Sequence, residues 1–349
     1  MKISREKIAE LVSSYDKKDL KIATICSHTA LQIFHGARKE GIKTIGICTE
    51  KRRKVYEAFP LGKPDEFIVV DDLRYIPDKE LAEKNAILVP HGSLVEYSGD
   101  RIYELAVPML GNRESLAWEK DRAKMFSWLK AAGLQVPATL EPDKIDRPCV
   151  VKLAGAKGGR GYKVVHSPEE FYEHFEGMNV TVQEYLIGVR VYPHYFYSPL
   201  SKDGYRACEG KIELIGIDRR FESNIDEAYR TEKAGLSFSP SFTVVGNELL
   251  VVRESLLEDI LEMGKNIVEA ADRLFGGIPG PFCLETVVDE NLQFFAFEVS
   301  ARIVAGTNIY PQGSPYTAYL YSEPMSMGRR IALEIKQAAK VNKLAKIVY

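Results

Sequence analysis

The first 112 residues alternate between short apolar runs and amphipathic stretches. Runs rich in β-branched residues predict strands at positions 21–26, 43–48, 67–70 and 86–89. Helical periodicity lies between them, most clearly over 30–40, where Gly41 ends the segment. Alternation of this kind is typical of a parallel, Rossmann-like sheet, because parallel strands need a crossover, usually a helix, between them.

The pattern changes after position 112. One amphipathic helix is predicted over 114–132, as the linker into the rest of the chain. Further strands are predicted at 149–153, 180–188, 190–200, 211–217, 282–288 and 292–299, and long helices at 254–275 and 327–343. The run that begins at 242 is predicted to end in a polar turn at Gly246 and Asn247. The polar segment 218–224 fits a solvated loop as well as a ligand-facing segment.

Two of these strand-like runs each carry one carboxylate among apolar side chains. Glu285 and Glu298 stand in runs joined by a polar turn at 289–291, and Arg302 follows. Because charged groups are rarely buried unpaired, this set favours a divalent cation and a phosphate over a solvated sheet face. The two carboxylates share a face if the connection has an even number of residues, and lie on opposite faces if that number is odd.

An ammonium group, that of Lys152, stands inside the apolar run 149–153. A glycine-rich segment over 154–162 follows at once and contains Gly158 and Gly159 between two basic residues. Glycines let a backbone approach a ligand closely, and the cations attract its negative charge. The combination favours a lid over a triphosphate rather than a plain hairpin turn, although it is not a Gly-x-x-x-x-Gly-Lys-Ser/Thr loop.

Two clusters of serine and histidine follow predicted strands of the first sheet. Ser27 and His28 come after the first strand, and His91 and Ser93 come after the strand 86–89. The carboxyl ends of parallel strands meet at one edge of a sheet, where ligands bind, so the clusters together favour a phosphorylated ligand. Each cluster alone also fits a helix cap with a hydrogen-bonded histidine. No Gly-x-Gly-x-x-Gly turn follows the first strand, which argues against a dinucleotide.

Whole-chain composition narrows the function classes. The 349 residues carry a formal net charge of −2, which leaves no basic footprint for nucleic acid. The five cysteines are odd in number and widely spaced, so we expect buried, reduced thiols rather than disulfides. No apolar run reaches the ~18 residues that a membrane span needs. We therefore expect a soluble, cytoplasmic protein with no nucleic-acid or membrane partner.

Taken together, these segments resemble the ATP-grasp superfamily. The matching parts are Lys152 with its glycine-rich loop, the strand end 183–186, and Glu285 followed by the segment 298–302. The resemblance implies an α/β and α+β chain, with a Rossmann-like substrate domain and then a two-part ATP-grasp domain. The implied divisions are 1–118, 119–187 and 188–349.

The resemblance also implies roles for individual side chains. The implied ATP-binding residues are Lys152, Gly158, Gly159, Gln183, Glu184, Tyr185 and Glu222. Lys152 and Arg302 are the implied catalytic residues, on the α- and β-phosphates and on the γ-phosphate respectively. Glu285 and Glu298 would hold Mg²⁺ or Mn²⁺. Ser300 stands where many members carry an asparagine that helps ligate the metal.

A closer resemblance covers nearly the whole chain. The segments 27–33, 90–93, 216–224, 297–308 and 326–332 are similar to the archaeal formate-dependent ligases of purine synthesis, the 5-formaminoimidazole-4-carboxamide ribonucleotide synthetases. Those enzymes use ATP to join formate to the 5-amino group of aminoimidazole carboxamide ribonucleotide (AICAR). The implied ribonucleotide contacts are Ser27, His28, Ser93 and Asn247. A homo-oligomer is also expected.

Formate is a poor acyl donor, so the resemblance implies that it first becomes formyl phosphate, which the substrate amine then attacks. Two other interpretations stay open. A paralogue could use the same ATP chemistry on a different carboxylate or nucleotide. A nucleotide-binding sensor without catalysis is the third, which the presence of Lys152, Glu285, Glu298 and Arg302 argues against.

Overall fold

A computed structural model describes residues 2–153, 162–222, 230–231, 233–236, 241 and 243–349. Gly158 and Gly159, which we predict to be part of a lid, lie outside the described residues, and so do positions 223–224 of the polar segment.

Helices and strands of the described residues are numbered in chain order. The helices are α1 (Arg5–Ser13), α2 (Ala30–Lys39), α3 (Glu50–Glu57), α4 (Asp78–Glu83), α5 (Gly92–Ser98), α6 (Arg113–Lys120), α7 (Arg122–Ala131), α8 (Pro168–Phe175), α9 (Leu257–Phe275) and α10 (Met327–Lys340). The strands are β1 (Lys21–Ile25), β2 (Lys43–Cys48), β3 (Glu66–Val69), β4 (Ala86–Leu88), β5 (Cys149–Leu153), β6 (Lys163–Val165), β7 (Val180–Glu184), β8 (Val189–Ser198), β9 (Tyr205–Ala207), β10 (Gly210–Glu222), β11 (Val244–Leu249), β12 (Gly280–Val288) and β13 (Phe294–Ser300).

The first sheet has the order β3-β2-β1-β4, and all of its pairs are parallel, as predicted. β1 and β4 are buried on both faces because helices cover them, which is why their sequences are continuous apolar runs. The segments after β1 and β4 therefore meet at the carboxyl edge of adjacent strands.

The prediction of one helix over 114–132 is wrong. The chain forms α6 and α7, with a break at Asp121, whose backbone is extended (φ −88°, ψ 110°). The Asp121 carboxylate accepts a hydrogen bond from the Lys124 amide (3.1 Å) and so caps α7. Aspartate is a preferred residue at helix N-caps, so Asp121 was a sequence signal for this boundary.

The largest sheet runs β11-β10-β8-β12-β13, with β9 on the side of β10, and its pairs are antiparallel. Residues 218–222 are the end of β10 rather than a solvated loop. The predicted turn at Gly246 and Asn247 is also wrong, since both residues lie inside β11 and Asn247 pairs with Arg220. The local propensity of this polar sequence does not favour a strand. The strand forms because neighbouring strands satisfy the backbone hydrogen bonds of the segment.

A smaller antiparallel sheet, in the order β6-β5-β7, carries Lys152. At the other end of the chain α10 packs against α2 at very short range. A Cβ on Gly36 would lie 2.1 Å from the Arg329 amide nitrogen, and one on Gly328 would lie 2.1 Å from the Gln32 carbonyl oxygen. The last helix is therefore part of the packing around the first sheet.

The five cysteines are free thiols, as predicted, although Cys208 is exposed and the other four are buried. Among the described residues, no helix is long and apolar enough to cross a membrane.

Candidate functional site: an acidic strand pair facing a polar sheet edge

The two acidic residues of the predicted hairpin are direct cross-strand partners, since Glu285 of β12 pairs with Glu298 of β13. The connection from 289 to 293 has five residues, an odd number that would put them on opposite faces. The register shifts by one residue next to Glu285, so that Phe297 is an extra residue in β13. This β-bulge restores a shared face for the two carboxylates.

The charges around the two carboxylates differ. Both oxygens of Glu285 accept from the guanidinium of Arg220, one of them at 2.6 Å from Nη1. Within the described residues Glu298 has neither a hydrogen bond nor an ion pair. Burial and the neighbouring Glu285 raise the pKa of Glu298 to about 7. Arg220 therefore balances the charge of Glu285, and a further cation at this pair would balance that of Glu298.

Lys152 lies close to the acidic pair, next to Phe297 of β13. Its Nζ is 5.2 Å from the ring centroid of Phe297 and 5.5 Å from that of Tyr162. Burial, with Arg122 as the next cause, lowers the pKa of Lys152 to about 8, while the two glutamates oppose the shift. A buried cation between aromatic rings and carboxylates is an environment suited to an anionic ligand.

Two of the predicted ATP-binding residues, Gln183 and Glu184, lie on β7, which pairs with the strand of Lys152. Because Lys152 pairs with Thr181 and Val150 with Gln183, Lys152 and Gln183 share a face of the small sheet. The Gln183 side chain is buried, and its Nε2 has no hydrogen-bond partner among the described residues. Glu184 accepts from the Ala138 amide (3.2 Å).

Two further predicted ATP contacts lie at strand ends. The Tyr185 amide, just after β7, donates to the Pro148 carbonyl oxygen (3.0 Å). Glu222 ends β10 and forms an ion pair with Arg190 of β8. Tyr185 and Glu222 are both half-buried, so their side chains can still meet a ligand.

The polar clusters of the first sheet meet, as predicted. Ser27 Oγ donates to Ser93 Oγ (3.0 Å), and the rings of His28 and His91 stack at a centroid distance of 5.3 Å. The roles of the histidines differ. His91 is buried, donates from Nε2 to the Ile25 carbonyl oxygen (2.9 Å) and caps α5, and burial lowers its pKa to about 4. His28 is exposed, which leaves it available to a ligand.

Arg302 joins this edge to the acidic pair. A Cβ on Gly92 would lie 2.7 Å from His28 Nε2 and 3.5 Å from Arg302 Nη1, so the two side chains converge on one glycine. Glu119 of α6 holds Arg302 in place: one carboxylate oxygen lies 2.9 Å from Arg302 Nη2, and the other accepts from the Ala301 amide (2.8 Å). The Nε of Arg302 is buried without a hydrogen-bond partner among the described residues.

Asn247 belongs to a buried polar network. Its Nδ2 donates to Asp218 Oδ2 (2.7 Å), and Asp218 Oδ1 lies 2.7 Å from His194 Nε2. Gly306 packs on this pair, since a Cβ there would lie 2.2 Å from Asp218 Oδ1. Two residues further on, Asn308 donates to the His28 carbonyl oxygen (3.0 Å), and the left-handed backbone of His28 (φ 55°) presents that oxygen. The turn 305–309 thus connects Asn247 to the polar edge.

Sequence reasoning missed Arg220, Glu119 and Asp218 as parts of the site. Arg220 and Asp218 stand in the segment 218–224, whose polar composition favours a loop; only pairing with β8 and β11 makes its first part a strand end. Glu119 lies in a helix 182 residues before its amide partner, and no local pattern marks it.

No group of three or more histidine, cysteine, aspartate or glutamate side chains in the described ranges could by itself hold a metal ion. Glu285 and Glu298 are two oxygen donors, and the uncompensated charge of Glu298 fits a hard divalent cation completed by ligand oxygens.

Comparisons with known proteins cover most of the chain. Residues 22–140 match the family model of a protein of unknown function, DUF1246, and residues 172–349 match that of a domain of unknown function, DUF1297. The 5-formaminoimidazole-4-carboxamide-1-(beta)-D-ribofuranosyl 5'-monophosphate synthetase of Methanococcoides burtonii is 51% identical over 352 residues, 98% of each chain. The protein of the same name in Korarchaeum cryptofilum is 47% identical over 99% of this chain and 100% of its own.

Solved structures are similar to this chain over most of its length as well. The IMP biosynthesis protein PurP from Thermococcus kodakaraensis aligns with a TM-score of 0.75 and 29% identity, over 94% of this chain and 100% of its own. The N5-carboxyaminoimidazole synthetase from Staphylococcus aureus, complexed with ADP, aligns with a TM-score of 0.64 and 15% identity, over 93% of this chain and 79% of its own, which is a likeness of fold alone. With the parallel first sheet, these likenesses confirm the predicted fold class.

Proposed function

The chain belongs to the family of 5-formaminoimidazole-4-carboxamide ribonucleotide synthetases and is an ATP-dependent ligase of purine biosynthesis, and from this premise we propose how its residues divide the reaction. The substrates are ATP, formate and AICAR. One observation carries the proposal: Arg302, directly after the acidic strand pair, converges with His28 on Gly92. An activated carboxylate formed beside Arg302 would meet an amine held at the edge of the first sheet.

The ATP side of the site centres on Lys152. Its buried ammonium group, on the face shared with Gln183, would neutralise the α- and β-phosphates. The unpaired Nε2 of Gln183 supports a contact to the base, with Glu184, Tyr185 and Glu222 around it. Gly158 and Gly159 are proposed to cover the phosphates.

Glu285 and Glu298 would hold Mg²⁺ or Mn²⁺. When bound there, the cation would neutralise charge on the transferred phosphoryl group. Arg220 already compensates Glu285, so a cation at this pair would chiefly balance Glu298. The position of Ser300, buried and paired with Cys283, gives no support for a third ligand there.

The chemistry needs two transfers. A formate oxygen attacks the γ-phosphorus of ATP, the bond to the bridging oxygen breaks, and ADP leaves. The 5-amino nitrogen of AICAR then attacks the formyl carbon, phosphate leaves with the C–O electron pair, and the nitrogen loses a proton. Arg302 would stabilise charge on the phosphoryl group in both transfers.

The ribonucleotide would bind across the edge of the first sheet. Ser27, Ser93 and the exposed ring of His28 are available there, and Asn247 approaches through Asp218 and the turn 305–309. Because Asn247 donates its Nδ2 to Asp218, its Oδ1 would accept from an N–H group of the substrate.

The direct test is the product. Purified protein would be incubated with ATP, Mg²⁺, AICAR and, in turn, formate, acetate, bicarbonate and glycine, and the product would be analysed by mass spectrometry. We expect one added formyl group and stoichiometric ADP with formate alone. A product with another carboxylate would identify a diverged ligase, and ATP binding without any product would overturn the proposed ligation.

A further inference from the structure

The guanidinium of Arg52, on α3, lies at the carboxyl edge of the first sheet. Its Nη1 donates to the Cys26 carbonyl oxygen (3.2 Å) and its Nη2 to the Tyr97 hydroxyl (3.0 Å), and the Tyr97 ring centroid is 5.6 Å away. None of these partners is anionic. Within the part of the chain that the structure describes, this half-buried cation has no carboxylate counter-ion.

The contacts of Arg52 link it to the segments that carry the two serines. Cys26, whose carbonyl oxygen Arg52 contacts, directly precedes Ser27, and Ser27 hydrogen-bonds Ser93. Ser93 and Tyr97 stand four residues apart on α5 and therefore share a helix face. The guanidinium and the two hydroxyls thus border the same small area of the sheet edge.

We propose that Arg52 binds the 5'-phosphate of the ribonucleotide, with Ser27 and Ser93 as hydroxyl partners; this inference rests on the function proposed above. A guanidinium matches two phosphate oxygens with its planar donors, and a cation without a counter-ion gains most from a dianion. The carbonyl and hydroxyl contacts hold the side chain in place before the ligand arrives, which lowers the entropy cost of binding.

The next residue offers a matched control. Arg53 is also half-buried on α3, but its Nε lies 2.9 Å from Glu57, and its guanidinium covers the ring of Phe67. Arg53 therefore has its own counter-ion, and among the described residues it makes no hydrogen bond to Cys26 or Tyr97, the two residues that hold Arg52. Removing either arginine changes the net charge equally, so a difference between the variants isolates the site.

The test compares wild type, Arg52→Gln and Arg53→Gln. Dissociation constants for AICAR, for its riboside without the phosphate and for inorganic phosphate would be measured by calorimetry, together with KM values for ATP and formate. For Arg52→Gln we expect AICAR affinity to fall by about 10- to 100-fold, the size of a charge-assisted hydrogen bond, with riboside affinity and both KM values unchanged. Arg53→Gln should match wild type.

Each other outcome is decisive. Unchanged AICAR affinity in Arg52→Gln, or an equal loss for the riboside, would overturn the inference. Weaker binding of inorganic phosphate with unchanged AICAR affinity would mean that Arg52 holds the released phosphate, and would overturn it too. A wild-type protein that makes no formylated product would instead contradict the proposed function.

Discussion

Glu285 and Glu298 face each other across β12 and β13 because one extra residue, Phe297, interrupts the ladder between them. A hairpin with a five-residue connection and no bulge would turn one carboxylate to the other face of the sheet. The bulge also places the Phe297 ring 5.2 Å from Lys152 Nζ. A single irregularity thus assembles the acidic pair and brings Phe297 beside Lys152.

Glu298→Gln is expected to lower turnover by on the order of 10² or more, because the amide removes the negative charge that would hold the divalent cation. Glu290→Gln is the matched control, since Glu290 is exposed in the turn of the same hairpin. Steady-state rates of ADP release for both variants check the prediction. A Glu298→Gln enzyme as fast as wild type would refute the metal assignment.

Binding of a divalent cation should release a proton in slightly acidic solution. With a pKa of about 7, Glu298 is mostly protonated at pH 6.5 and mostly ionised at pH 8, and only the ionised form ligates a metal. Calorimetric titration with Mn²⁺ in buffers of different ionisation enthalpy should show about three-quarters of a proton released at pH 6.5 and about a tenth at pH 8. Glu298→Gln should release none at either pH.

The same group sets a trend in the stability of the metal-free protein. Its pKa in the folded state lies above the usual 4.5, so the folded state binds the proton more tightly than the unfolded state. The contribution of Glu298 to the free energy of unfolding is therefore full below about pH 4.5 and is lost as the pH rises through about 7. Urea unfolding of wild type and Glu298→Gln at pH 5 and pH 8 measures this difference; an equal pH dependence in both proteins would contradict it.

Glu119→Gln is expected to reduce kcat by about 10-fold or more while leaving the KM for ATP nearly unchanged, because Arg302 loses a charge-assisted partner. The amide can still accept from the Ala301 backbone, so the fold is preserved. Glu114→Gln on the same helix is the control, since the Glu114 side chain pairs with Lys2 at 3.5 Å and has no ion pair with Arg302 in the described part of the chain. A loss shared by both variants would argue against positioning of Arg302.

His28→Ala should weaken AICAR binding and leave ATP binding unchanged. The exposed ring loses its stacking on His91 and its proposed contact with the ribonucleotide, whereas the residues proposed to bind ATP lie on other sheets. The loss of one such contact corresponds to roughly a 10-fold change in affinity. His35→Ala, on α2 beyond the site, is the control. Calorimetry with each nucleotide separates the two effects, and a loss of ATP affinity would place His28 in the wrong part of the site.

Much of the fold followed from the sequence pattern. The strands of the first sheet were predicted within one or two residues, because buried parallel strands are short apolar runs between amphipathic helices. Lys152, Glu285 and Glu298 were also visible as charges inside such runs. The errors at Asp121 and Asn247 arose where a local preference competes with capping or pairing.

The sequence by itself determined which residue types could carry the chemistry and, because both follow parallel strands, that the clusters of Ser27 and Ser93 would lie at one edge of the sheet. Only the tertiary structure decided that Glu285 and Glu298 share a face, since a bulge is a property of pairing between strands. Likewise, the contacts of Arg220 with Glu285 and of Glu119 with Arg302 join residues far apart in the chain. Local periodicity carries no information about such pairs, because packing between separate elements brings them together.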